Sequence, residues 1–126
     1  MPDMAMLARR VVAYGIVEAI RRARGSRVSI TVAGLVRSAS AVLPEARALL
    51  PWVERGRFTL PLQLVNSYLN LLVGSGVLTR WARARGPLYI IDRGSELWEL
   101  ARSNPGGAVE FIMKILGPTP GGTGGG

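Results

Sequence analysis

Four side chains between positions 63 and 70, Gln63, Asn66, Ser67 and Asn70, present amides and a hydroxyl about one helical turn apart. Amides of this kind can pair with the adenine edge in the major groove of a duplex, and serine can reach a base or a phosphate. Arginine is dense on both sides of them. Arg55 and Arg57 come before, Arg80, Arg83, Arg85 and Arg93 come after, and Asp92 is the one acid in that span. Guanidinium forks suit phosphate oxygens, and such an excess would neutralise several phosphates. Both sets also have a plainer reading. Exposed amides are common on soluble helices, and arginines at a turn can be merely solvated.

Composition narrows the chemistry further. The chain has 126 residues, sixteen basic against eight acidic, a formal charge of +8, and neither His nor Cys. A thiolate nucleophile, an imidazole base, a disulfide and a conventional zinc site are therefore excluded. Asp3 and Asp92 are the sole aspartates, and Glu18, Glu45, Glu54, Glu96, Glu99 and Glu110 are scattered, so clustered hard-metal ligands are not expected. No phosphate loop of the GxxxxGK type occurs. Neither an enzyme nor a cofactor is expected. The basic excess points instead to a polyanionic partner.

Hydrophobic residues make up 48% of the chain, enough to offset the ordering entropy of one folded domain. No apolar run reaches the roughly 18 residues of a spanning helix. The richest stretch, Leu62 to Leu78, is interrupted by Gln63, Asn66 and Asn70, and Arg9 and Arg10 stand where a signal peptide would carry its apolar core. A cytoplasmic protein without membrane contact is the expectation.

The elements that must hold these groups follow from local patterns. Met4 to Arg24 lacks proline and sets Val12, Ile16, Ile20 and Ala23 on one helical face. Gly25 ends that helix. Arg27 to Ile30 alternates as a short strand, and Thr31 can cap a helix that runs through Leu35 to about Val42. Pro44 can open a further helix ending near Arg55 and Gly56, with Pro51 placed to kink or split it. Thr59 can cap and Pro61 can open the next helix, in which Val65, Leu69 and Leu72 form the apolar seam up to Gly76. Val77 to Ala84 and Pro87 to Ile91 read as a hairpin turning at Arg85 and Gly86. Ser95 caps a helix with Leu97, Trp98 and Leu100, broken at Asn104 to Gly107, and Ala108 to Leu116 forms the last helix. Residues 117–126 read as a disordered Gly-rich tail.

In this order (helix, strand, helix, extra helix, helix, hairpin, helix) the chain resembles the winged helix-turn-helix family. The segment Leu60 to Ile91 carries the likeness, through the run Val65 to Leu78 with its glycine exit and the basic turn after it. The resemblance implies a mainly α fold with a small β-hairpin, an α+β winged helix-turn-helix domain over residues 1–116 with an inserted helix and C-terminal helices. It implies that Gln63, Asn66, Ser67 and Asn70 enter the major groove of DNA. Arg55, Arg57, Arg80, Arg83 and Arg85 would then meet phosphate. One departure is the insert, Val42 to Phe58, where a compact helix-turn-helix has a turn of three or four residues. It could equally bind another protein.

Charge is regional. Arg9, Arg10, Arg21, Arg22, Arg24 and Arg27 face the single acid Glu18, whereas the segment after Gly94 is nearly neutral. The apolar residues of Ala108 to Ile115 can pack on the domain or, beyond a Gly-Gly hinge, pair with a second copy as a homodimer. The expected function is double-stranded DNA binding in transcription regulation or chromosome organisation. The alternative is a winged helix component of a ribonucleoprotein or of a polymerase or replication assembly, in which RNA or protein is the partner.

Overall fold

The computed structural model describes residues 3–57 and 59–117. Its first helix, α1 (Met4–Arg22), opens on Asp3, whose carboxylate accepts from the N–H groups of Ala5 and Met6. One face of α1 carries Val11, Val12, Ile16 and Ile20 out of contact with solvent, and it forms the spine of the core. Helices α2 (Val32–Ser40), α4 (Leu60–Gly74), α5 (Glu96–Ser103) and α6 (Pro105–Leu116) all pack on it. Gly15 explains how closely α2 can approach. A Cβ there would sit 2.7 Å from the Leu35 carbonyl oxygen and from Leu35 Cδ1, so a side chain would force the helices apart.

A small antiparallel sheet joins three separate segments of the chain. Strands β1 (Arg27–Ile30), β2 (Thr79–Trp81) and β3 (Leu88–Asp92) lie in the order β1-β3-β2. Arg27 stands opposite Asp92, Ile30 opposite Tyr89, and Arg80 opposite Tyr89 on the other edge. The architecture is thus mostly helical with a three-stranded sheet, an α+β fold. No helix among the described residues is long and apolar enough to cross a membrane.

Local signals set several boundaries as expected. Thr31 Oγ1 accepts from Gly34 N–H at 3.0 Å and Ser95 Oγ from Trp98 N–H at 3.1 Å, each capping the helix that follows. The insert divides near Pro51 into a 3₁₀ turn, Pro44–Leu49, and the single-turn helix α3 (Leu50–Glu54). One continuous helix is excluded there because the ring of Pro51 removes a backbone donor, which a first turn can spare. Ala46 and Leu49 bury against the core, so the insert belongs to the domain.

Three expectations are corrected. The strand expected over Val77 to Ala84 is only Thr79–Trp81, and since Trp81 is the last residue paired, with Leu88, the connection runs through residues 82–87 and is not a two-residue turn. Thr59 occupies the N-cap position of α4, yet its hydroxyl caps nothing and is buried without a partner among the described residues. The stretch Asn104 to Gly107 is not a hinge. Asn104 Oδ1 accepts from Gly107 N–H at 3.1 Å and Pro105 takes the first helical position, so both glycines lie in the opening turn of α6. Consequently Ala108, Ile112 and Leu116 are buried within the chain, in contact with α1 and α5. Of the expected tail at 117–126, Gly117 is the C-cap of α6 and the rest lies outside the described residues, as does Phe58 at the end of the insert.

Candidate nucleic-acid interface

Helix α4 presents two faces. Val65, Leu69 and Leu72 are wholly enclosed, as their spacing requires. Gln63, Ser67 and Asn70 are exposed on the other side, and Asn66 is half-buried at its edge. Two leucines overlooked in the sequence share the outer side: Leu60 and Leu71 are 62% and 52% exposed. Apolar atoms among amides suit a groove floor, since thymine presents a methyl group there.

Asn66 is half-buried because it faces the sheet. Tyr89 on β3 is fully buried, and its hydroxyl donates to Asn66 Oδ1 at 2.8 Å, with Asn70 Oδ1 at 3.3 Å. Opposed residues of an antiparallel pair share a face, so the register that sets Arg80 opposite Tyr89 brings Arg80 to the same side. Tyr89 is not among the residues singled out from the sequence. A tyrosine inside an apolar strand, following a helix with amides four residues apart, was the available signal.

Arg80, Asn66 and Arg85 line one groove of about 380 Å³, together with Gly86, Pro87, the N-cap Thr31 and the first residues of α2, Val32 and Ala33. No acid lines it. The N–H groups of Val32 and Ala33, at the start of α2, lie beyond any intrahelical acceptor. Gly86, which lines the groove, adopts φ +109°, a conformation that only glycine takes without strain. Arg83 is exposed at the turn and its Nε donates to the Gly86 carbonyl at 3.3 Å.

Not all the expected residues converge. Arg55 and Arg57 are exposed on the connection between α3 and α4 and do not line the groove. Gln63 and Ser67 lie on the outer side of α4, also outside the groove. Among the described residues Arg55, Arg57, Arg80 and Arg85 form no ion pair, so their charge is uncompensated. On the far side of α4, Tyr68 is buried, and its hydroxyl has no partner among the described residues. Burial pushes its phenol above the ordinary value of 10.0; Arg9 nearby opposes the shift and Asp3 adds to it. No group of His, Cys, Asp and Glu that could hold a metal occurs among the described residues. Comparison of the chain with known protein families, curated proteins and solved structures found no match.

Proposed function

We propose that the protein binds double-stranded DNA as a winged helix-turn-helix domain, with α4 in the major groove and the β2–β3 turn on the phosphate backbone. The observation that carries this reading is the acid-free groove in which Arg80, Arg85 and Asn66 meet across three elements. An arginine pair beside a polar helix face offers phosphate contacts for affinity and register, and base-edge contacts for sequence. The return of β1 onto β3 further supports the winged helix assignment, because it anchors the hairpin beside α4. Gln63, Ser67 and Asn70 are then base-facing, and Arg55, Arg57 and Arg83 add flanking phosphate contacts. A role in transcription regulation or chromosome organisation follows. Dimerisation through Ala108 to Ile115 would have only the half-buried Val109, Phe111, Met113 and Ile115 to offer, since Ala108 and Ile112 are already enclosed.

A gel shift at 50 mM salt tests the proposal. Binding to duplex below ~10 µM is expected, with log K falling steeply as salt rises. Absence of any binding under those conditions refutes it.

A second reading, a subunit of a ribonucleoprotein, polymerase or replication assembly, draws on a different feature. Met4, Met6, Leu7, Trp52 and Pro61 line an apolar groove of about 430 Å³ between α1 and the insert, and Met4 and Met6 are exposed. Recovery with such a particle after nuclease treatment would favour it over free duplex binding.

A further inference from the structure

Tyr89 carries a hydroxyl into the seam between the sheet and α4, and that hydroxyl has two neighbours. Asn66 Oδ1 lies at 2.8 Å and Asn70 Oδ1 at 3.3 Å, one helical turn apart. A phenol has one proton to give, so the shorter contact takes most of it and the longer one a minor share. The Asn66 oxygen is thereby held inward, toward a side chain that solvent does not reach. Each NH₂ group is directed away from the phenol, and none of the hydrogen bonds among the described residues engages either amide nitrogen.

This orientation changes what the helix can read. A free asparagine matches adenine by accepting from the exocyclic amine while donating to N7, which needs both ends of the amide turned outward in one plane. With the oxygen held inward by Tyr89, that two-ended match is lost. What remains on Asn66 is the pair of N–H donors of its amide. The base edge that offers adjacent acceptors in the major groove is guanine, with N7 and O6, whereas adenine offers one acceptor beside a donor. We propose that Tyr89 is a specificity-determining positioning residue, which fixes Asn66 as a donor and so makes α4 select guanine rather than adenine at the step Asn66 faces. The inference rests on the duplex-binding reading above and assigns the base class to that same face.

Selection from a randomised duplex pool, run at one salt concentration with the full chain and with Tyr89→Phe, tests the assignment. The unaltered protein is expected to enrich guanine at the step facing Asn66, and replacing that guanine by 7-deazaguanine should weaken binding about tenfold or more. Tyr89→Phe frees the Asn66 amide and should erase the preference or move it toward adenine. Its salt dependence should not change, because no phosphate contact is lost. Enrichment of adenine by the unaltered protein, binding without base preference, or an identical preference in Tyr89→Phe would each overturn the proposal while leaving duplex binding intact. Failure to bind any duplex would overturn both. Where Tyr89→Phe does not fold, Asn66→Ala decides: loss of the guanine preference at an unchanged salt slope supports the proposal, and an unchanged preference refutes it.

Discussion

The arginines of α1 and those of the hairpin look alike in sequence and have opposite fates in the fold. Arg10 pairs with Glu45, Arg21 and Arg22 share Glu18 at 3.4 and 2.8 Å, and Arg27 just beyond the helix pairs with Asp92 at 3.0 Å. Arg9 donates to the carbonyl of Met113 in α6. Around the hairpin, by contrast, Arg80 and Arg85 have no such partner among the described residues and share a groove without an acid. The lesson is that a surplus of positive charge does not locate a polyanion site. Acids brought from 35 or 65 positions away decide which arginines are paired, and the proposed site rests on two that are not.

The widest break in this contrast comes from the core that holds both regions. Leu69 is fully enclosed between α4 and the core, and Leu69→Ala should cost about 2 to 5 kcal/mol in a denaturant titration. Both regions would then lose their partners together. A loss under about 0.5 kcal/mol would mean that α4 is rotated and that Asn66 does not face Tyr89.

Next in size is the comparison of paired deletions. Arg80→Ala with Arg85→Ala should weaken duplex binding about tenfold to a hundredfold near 0.1 M salt and make the slope of log K against log salt shallower by about two. Arg21→Ala with Arg22→Ala should leave that slope unchanged. Equal slopes for the two double variants would erase the distinction between neutralised and free arginines.

Smaller still is the stability effect in α1. Arg22→Ala strips the closer partner from Glu18, whose side chain is nearly enclosed while that of Arg22 is largely exposed. Exposure of the arginine limits the cost to about 1 kcal/mol or less, and it should shrink further in high salt. Melting curves at low and high salt check both statements.

The least effect at neutral pH belongs to Tyr68, the counterpart of Tyr89 on the opposite face of α4. Its hydroxyl is buried without a partner among the described residues, so Tyr68→Phe should leave stability at pH 7 unchanged or raise it by about 1 kcal/mol. Because folding lifts this phenol above its unfolded value of 10.0, the stability of the neutral form is complete below that pH. It is lost as pH climbs through the higher folded value. Tyr68→Phe should accordingly resist alkaline unfolding better than the unaltered protein. A loss of stability at pH 7 would show that the hydroxyl has a partner after all.

Much of the scaffold was legible because it is local. Helical spacing at Val65, Leu69 and Leu72, the caps at Thr31 and Ser95, and glycine in the hairpin turn each depend on residues within one or two turns of chain. The opening of α6 was misread although it too is local, since Pro-Gly-Gly resembles a break until Asn104 is seen to cap it. Tertiary structure alone decided the rest. It set Arg80 beside Asn66, assigned Glu45 and Asp92 to distant arginines, brought Leu35 against Gly15, and turned the amide oxygens of Asn66 and Asn70 toward Tyr89. Composition and periodicity determine which residues a segment buries, because burial follows the repeat of its own backbone. The partner a polar side chain finds depends on how separate segments pack, and no repeat within one segment carries that information.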